Sequence, residues 1–153
     1  MNKDKKKILK KKPASDCVFC KIVSGEIPTD SKIYEDKYAF VFLTIAPVNP
    51  GHALVIPKKH FANIYEFSDA YLTKFAPTLK KASIAVKKSM NAGGINVFMN
   101  NDHAAGQAVF HAHWHIVPRH QGDGLKVWEV DKKYKEGEAK EVAKKIKTAW
   151  KAE

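Results

Sequence analysis

The chain has 153 residues, 44% of them hydrophobic, and a formal net charge of +11. A chain of this length can bury a core as one globular domain, and no apolar run approaches the roughly 20 residues that span a bilayer. The basic N-terminus lacks the apolar stretch of a secretory signal, so the sequence predicts a cytoplasmic protein without a membrane partner.

Residues 1–15 form a lysine-rich segment that we predict to be a disordered tail. Residues 1–13 contain seven lysines and one aspartate, and so polar a segment buries too little apolar surface to fold. A weak electrostatic hold on nucleic acid or anionic lipid is the alternative. Because no aromatic residues alternate with the lysines, specific nucleic-acid binding is not expected. One domain is predicted over residues 16–153.

Cys17 and Cys20 form a Cys-x-x-Cys motif and are the two cysteines of the chain. A structural disulfide across so short a loop is unusual in the cytoplasm. No helical pattern follows the motif in the manner of a thioredoxin-like redox site. Thiolates are good zinc ligands, but a closed zinc site requires four of them, so two more ligands must come from elsewhere.

The remaining elements are short strands and two helices. A long helix is predicted over residues 69–91, because apolar side chains recur at steps of three and four, and Ser68 suits its N-cap. A C-terminal helix is predicted over residues 137–152. Short apolar runs between turn residues predict strands over residues 33–35, 38–43, 53–56, 95–99 and 109–117.

Three of the seven histidines, His111, His113 and His115, alternate within five residues. In a strand, alternate side chains point to the same face, roughly 6–7 Å apart. The three rings are therefore predicted to line one surface, while Ala112 and Trp114 enter the apolar face. On spacing alone, such a cluster fits a metal site and proton or phosphoryl chemistry equally well.

The segment from His111 to Val117 resembles the His-φ-His-φ-His-φ-φ signature of the histidine triad superfamily, in which φ is apolar. Other stretches resemble this family in the same order along the chain, namely Cys17–Ile22, Gly25–Pro28, Val48–His52, Val55–His60 and Ala105–Gln107. The likeness covers about residues 16–150 and is greatest to bacterial members of the Hint branch. It implies an α+β fold, with an antiparallel sheet of about five strands, a long helix packed on it and a C-terminal helix. It also implies a homodimer.

Members of this family are nucleotidyl hydrolases or transferases. The resemblance therefore implies an enzyme that acts on the α-phosphate of a small nucleotide, such as a purine nucleoside phosphoramidate. It places the nucleophile at His113, with a nucleotidyl-histidine intermediate and an orienting hydrogen bond to a backbone carbonyl near His111. His115 and His52 match positions that support the site and move protons. The alternatives are a dinucleoside polyphosphate hydrolase and a nucleotide-binding regulatory protein with weak catalysis.

The resemblance also implies a substrate site beside the triad. The positions that match polar phosphate contacts or the nucleoside wall are Phe40, Thr44, Ile45, Asn100, Gln107 and Ala108. Many relatives carry aspartate at Thr44, where it holds the ribose, and serine at Ala108, where its hydroxyl meets the phosphate. The lost hydroxyl is worth on the order of 1 kcal/mol, so a competent nucleophile with slow turnover is predicted.

The likeness supplies the two missing zinc ligands. Some bacterial relatives bind zinc through a Cys-x-x-Cys, the histidine that follows Pro-Lys-x, and the first histidine of the triad. The corresponding residues here are Cys17, Cys20, His60 and His111. Two thiolates and two imidazoles suit tetrahedral zinc, and the implied role is structural, pinning the N-terminal segment to the triad.

Overall fold

The computed structural model of the protein describes residues 16–126 and 132–151. The predicted tail over residues 1–15 lies outside the described residues, as do residues 127–131 and 152–153. The chain divides into two compact units, one ending at Asp123 and the other beginning at Gly124. The assignment of residues 16–153 to one domain stays a prediction. In the described parts of the chain, no helix combines the length and apolar character needed to cross a membrane.

The first unit is built on one five-stranded sheet in the order β1-β2-β3-β5-β4, with every neighbouring pair antiparallel. Its elements are α1 (Val18–Ser24), β1 (Lys32–Glu35), β2 (Ala39–Leu43), β3 (Ala53–Pro57), α2 (Asp69–Ser89), β4 (Gly94–Phe98) and β5 (Trp114–Arg119). The second unit contains α3 (Glu138–Trp150). The predicted α+β fold is confirmed.

Helix α2 packs against one face of the sheet through the apolar stripe seen in the sequence. Ser68 caps the helix, since its Oγ accepts a hydrogen bond from the Tyr71 N–H at 3.3 Å. Phe75 is completely buried and its ring lies 4.7 Å from that of Trp114. Burial of a side chain of this size contributes about 2 kcal/mol or more. Thr78, one turn further on, donates from Oγ1 to the carboxylate of Asp36 at 2.5 Å.

The opposite face of the sheet carries a second apolar cluster and the candidate site. Directly paired residues of an antiparallel sheet share a face. Phe42 pairs with Leu54, and Leu54 pairs with His115, so the last triad histidine stands on this face. The buried members of the cluster are Cys17, Phe19, Phe40, Phe42, Leu54 and Ile56.

Strand β5 begins later than predicted. We expected a strand over residues 109–117, but β5 starts at Trp114, and His111 and His113 precede it. The Ala112 N–H donates to the Phe61 carbonyl at 2.7 Å, so this segment pairs with a loop. His111 and His113 therefore lie outside the strand, and the Nδ1 atom of His111 faces the cysteines.

The Cys-x-x-Cys motif lies at the start of a helix that the sequence pattern did not indicate. Helix α1 begins directly after Cys17 and contains Cys20. It is only seven residues long, too short for a 3.6-residue periodicity to show in the sequence. It ends at Gly25, whose φ of +81° lies in the left-handed region that glycine adopts without steric cost. The helix brings both sulfur atoms to the triad.

Asp102 occupies a strained backbone conformation in the loop before the triad. Its φ of 69° and ψ of 163° lie in a region that is essentially restricted to glycine, at a cost of about 1–3 kcal/mol. The loop holds it there, because the Asp102 N–H donates to Gln107 Oε1 at 2.8 Å and its carbonyl accepts from the Ala105 N–H at 3.2 Å.

Replacing Asp102 with glycine is expected to raise the free energy of unfolding by about 1 kcal/mol, because relief of strain exceeds the entropy cost of the glycine. Urea unfolding followed by fluorescence measures the change. Asn91→Gly is the matched control: Asn91 has a φ of 48°, which asparagine tolerates, so its gain should be smaller. An Asp102→Gly protein no more stable than its parent would contradict the inferred strain.

Candidate active site

His113 is held with one ring nitrogen engaged and the other presenting a lone pair. Its Nδ1–H donates to the His111 carbonyl at 2.7 Å, and a carbonyl can only accept, so the neutral ring carries no proton on Nε2. The hydrogen bond implied by the family likeness is thus present. The ring is buried, and this burial lowers the pKa of His113 below its usual value. His113 is therefore a neutral base or nucleophile at neutral pH.

His52 and His115 form a hydrogen-bonded pair with a defined direction. The Val48 N–H points at His52 Nδ1 across 3.3 Å, and because a backbone N–H can only donate, this nitrogen accepts. The proton of neutral His52 is then on Nε2, which donates to His115 Nδ1 at 2.9 Å. The proton of neutral His115 is in turn on Nε2, where it can be donated outward.

Both members of this pair are kept uncharged by their surroundings. The pKa of His115 is lowered to about 4, chiefly by burial and also by the nearby His113 and His52. Burial also lowers the pKa of His52. The ring of His115 lies 5.0 Å from that of His113. A nucleophilic nitrogen and a hydrogen-bond donor thus stand side by side.

Phe98 lies against His115 and was not predicted to be near the site. The two rings are stacked, with centroids 4.8 Å apart and planes 14° apart. Phe98 pairs with His115 across β4 and β5 and remains 40% exposed. It holds the His115 ring plane from one side. The sequence carried no sign of this contact beyond an apolar residue at the end of a predicted strand.

Four cysteine and histidine side chains that could hold a metal ion lie together, and one of them is His111 of the triad. Cys17, Cys20, His60 and His111 bring four ligand atoms within 4.8 Å of one another. His111 Nδ1 is 3.4 Å from Cys17 Sγ and 3.5 Å from Cys20 Sγ, and His60 Nδ1 is 3.3 Å from Cys20 Sγ. Tetrahedral zinc with ordinary bond lengths separates sulfur from nitrogen by roughly 3.5 Å. The four residues therefore fit zinc.

The protonation of the cluster also suits a cation. His111 is fully buried and its Nε2–H donates to the Pro57 carbonyl at 2.9 Å, which leaves the Nδ1 lone pair facing the sulfur atoms. The pKa of Cys20 is raised to about 12, chiefly by burial and also by contact with Cys17. Two thiolates side by side, one buried and one half-buried, are unfavourable unless a cation neutralises them. His113 does not belong to the cluster.

Gln107 is committed to the loop that precedes the triad. Its Nε2 donates to the Ala62 carbonyl at 2.6 Å and to the Val109 carbonyl at 3.0 Å, while Oε1 accepts from the Asp102 N–H. Both amide hydrogens are used, so the side chain braces the loop. Asn100 is half-buried on the same loop. A direct contact of either residue with phosphate stays a prediction.

The remaining predicted substrate positions differ in their exposure. Phe40 is 4% exposed and belongs to the apolar cluster, whereas Ile45 is completely exposed. The Thr44 N–H donates to the His52 carbonyl at 3.1 Å, which places Thr44 beside the histidine pair. Ala108 is exposed directly after Gln107. The parts of Ile45 and Phe40 in a nucleoside site stay predictions.

Comparison with known proteins identifies relatives of most of the first unit. A family model described as HIT domain matches residues 24–122. A Schizosaccharomyces pombe relative named adenosine 5'-monophosphoramidase hnt1 is 45% identical over 103 residues, which make up 67% of this chain and 74% of the relative. The residues that the family model matches include His52 and the three histidines of the triad.

Solved structures share the fold. A member of the HIT family from Bacillus subtilis superposes with a TM-score of 0.80 at 38% identity, covering 87% of this chain and 96% of that chain. A zinc-bound histidine triad family protein from Mycobacterium smegmatis superposes with a TM-score of 0.68 at 36% identity, covering 78% and 86%. The fold predicted from the sequence is the fold of these proteins.

Proposed function

The chain belongs to the HIT domain family, and on this premise we propose that it hydrolyses purine nucleoside phosphoramidates at the α-phosphate. The observation that carries the proposal is the hydrogen bond from His113 Nδ1–H to the His111 carbonyl, which leaves Nε2 free to attack. The name of the fission-yeast relative supports this class of substrate.

In the first step, the lone pair of His113 Nε2 forms a bond to phosphorus while the bond from phosphorus to the leaving nitrogen breaks. The bonding pair departs with that nitrogen, which takes up one proton. The charge that develops on the His113 ring is spread to Nδ1–H and stabilised by the His111 carbonyl. A covalent intermediate divides one difficult displacement into two easier ones.

His115 serves the leaving group in this scheme. Its Nε2–H is the donor left exposed by the bond from His52, and it stands beside the attacking ring. A hydrogen bond from this donor stabilises negative charge on the leaving atom as the bond to phosphorus breaks. His52 acts through His115 by fixing its tautomer, and Phe98 acts by holding its ring plane.

In the second step, water attacks the phosphorus of the nucleotidyl-His113 intermediate. The bond from phosphorus to Nε2 breaks, and its electron pair returns to the ring. The water releases one proton, which balances the proton taken up by the leaving group, so the two steps consume only water. Asn100 and Thr44 are proposed to contact the phosphate and the ribose, and Ile45 and Phe40 to border the base. Ala108 offers no hydroxyl, which slows the reaction.

Zinc is proposed as a structural component held by Cys17, Cys20, His60 and His111. The four donor atoms and their spacing support it, together with the zinc-bound relative. When bound, zinc neutralises the two thiolates and joins α1 to the segment before β5. The ring of His111 is a member of the cluster, while its backbone carbonyl accepts the hydrogen bond from His113. We also propose that the protein is a cytoplasmic homodimer and has no membrane partner.

The proposed activity is tested by incubating the protein with an adenosine phosphoramidate or with a diadenosine polyphosphate and measuring the release of AMP. We expect kcat/KM to be higher for the phosphoramidate. A higher value for the polyphosphate would support the second candidate, a dinucleoside polyphosphate hydrolase. Binding of AMP without turnover of either compound would refute both activities and favour a nucleotide-binding regulatory protein.

A further inference from the structure

A charged clasp joins the loop between β2 and β3 to the end of β5. Arg119 binds the carboxylate of Asp123 through two nitrogen atoms, Nε at 2.7 Å and Nη2 at 2.8 Å. Asn49 Nδ2 donates to Asp123 Oδ2 at 3.1 Å and to the Pro118 carbonyl at 2.8 Å. The Asp123 side chain is only 9% exposed, so these bonds are well shielded from water. The geometry fixes Asn49 in place.

The loop between β2 and β3, which the clasp holds, also forms hydrogen bonds with His52. The Asn49 carbonyl accepts from the His52 N–H at 3.0 Å. The preceding residue, Val48, directs its N–H at His52 Nδ1 across 3.3 Å. The position of this backbone N–H therefore depends on Asn49, whose side-chain amide donates to the Pro118 carbonyl in β5 and to the Asp123 carboxylate beyond the strand.

The direction of the histidine pair depends on this one N–H. With the Val48 N–H in place, His52 can donate only from Nε2, and His115 keeps its own proton on Nε2. Without it, His52 can carry its proton on Nδ1 and accept at Nε2. His115 would then donate from Nδ1, leaving its outer Nε2 without a proton. Both arrangements have one hydrogen bond within the pair. They differ at the outer Nε2 of His115, which donates in the first arrangement and accepts in the second.

We propose that Asn49, clamped by Arg119 and Asp123, is a positioning residue that keeps His115 in the tautomer that can donate to the leaving group. The inference rests on the proposed hydrolase function for its consequence in turnover. The claim about the tautomer of His115 is independent of that function, because the tautomer is a property of the protein without substrate. The residues that form the clasp are not members of the triad.

The first test compares Asn49→Ala with the parent on adenylyl substrates whose leaving groups range from an alkylamine to nitrophenolate. A poor leaving group needs the donor, whereas a good one does not, so kcat is expected to fall about tenfold or more for the alkylamine and to stay within about threefold for nitrophenolate. KM should change little. Thr78→Val is the matched control, because it removes a buried hydrogen bond to Asp36 outside the clasp.

The second test needs no turnover. Nitrogen-15 NMR of the histidine rings distinguishes protonated from bare ring nitrogen atoms in the resting protein. The parent is expected to carry the proton of both His52 and His115 on Nε2, and Asn49→Ala to show Nδ1–H forms of both. Asp123→Asn, which keeps the shape of the clasp but removes its charge, provides the same readout if Asn49→Ala fails to fold.

The outcomes distinguish failure of the positioning role of Asn49 from failure of the proposed hydrolase function. A loss that depends on the leaving group, together with a changed tautomer, supports the positioning role. An equal loss for every leaving group with unchanged ring spectra, as expected if Asn49 only stabilises the fold, overturns it. If the parent turns over none of the substrates, the proposed function fails, and the ring spectra alone still decide whether the clasp sets the tautomer.

Discussion

Replacing His113 with alanine is expected to lower kcat for adenosine phosphoramidate hydrolysis by roughly 10⁴-fold or more, in line with the loss of the nucleophile in other covalent enzymes. The reason is that alanine leaves no atom to bond to phosphorus, whereas the neighbouring donors can only stabilise a reaction with water. Steady-state release of AMP by parent and variant measures the effect. We expect the fold to persist, because the buried His113 ring belongs to neither apolar cluster of the core.

His120→Ala is the matched control for this change. His120 is exposed and its side chain has no part in the proposed reaction, so kcat should stay near that of the parent. Rates of His113→Ala within about tenfold of the parent would contradict covalent catalysis at this residue, because a loss so small is typical of a supporting group. The His52–His115 pair would then be the place to seek the chemistry.

Replacing Cys17 with serine is expected to remove zinc from the protein and to lower the free energy of unfolding by about 3 kcal/mol or more, since loss of a metal ligand is among the largest single-residue effects. A change of this size lowers Tm by about 10 °C in a domain of this length. Elemental analysis and thermal unfolding of protein purified without chelator measure the two effects. The hydroxyl of serine is a poor zinc ligand, although it fills nearly the same volume.

Ser24→Ala serves as the matched control for the cysteine change. It lies on the same helix, α1, and its Oγ donates only to the Lys21 carbonyl at 3.1 Å in an exposed position. Its zinc content and Tm should resemble those of the parent. Parent protein free of metal, or Cys17→Ser protein with full metal content and unchanged Tm, would overturn the structural zinc site.

The link between the two sites is His111. Its ring faces the cysteines, while its carbonyl orients His113, so metal binding and nucleophile orientation depend on one residue. Loss of the metal should therefore disturb catalysis through the position of the His111 carbonyl. The metal ligands and the reacting atoms nevertheless remain separate, because His113 is outside the cluster.

Features encoded by local periodicity could be predicted from the sequence. The apolar side chains of α2 recur at helical spacing, and three of them, Phe75, Ala82 and Val86, are buried as expected. The three alternating histidines identified the triad, although β5 begins only at Trp114. Short stretches such as α1 escaped because seven residues contain barely two turns.

Features that depend on contacts between distant segments could not be predicted. Asn49, Arg119 and Asp123 meet across about seventy residues of sequence, and no local pattern links an asparagine in a turn to an ion pair at the end of β5. The stacking of Phe98 on His115 depends on the register between β4 and β5, which hydrophobic alternation alone does not fix. Gln107 matched a polar family position, but its three bonds within the loop became evident only from the structure.

The central claim is that His113 Nε2 bonds covalently to phosphorus. The most direct measurement is the intact mass of the protein, quenched during turnover of an adenosine phosphoramidate, followed by peptide mapping. We expect one added adenylyl group per chain, located on His113 and absent from His113→Ala. Adenylyl groups on another residue, or steady turnover with no adduct at any quench time, would contradict it.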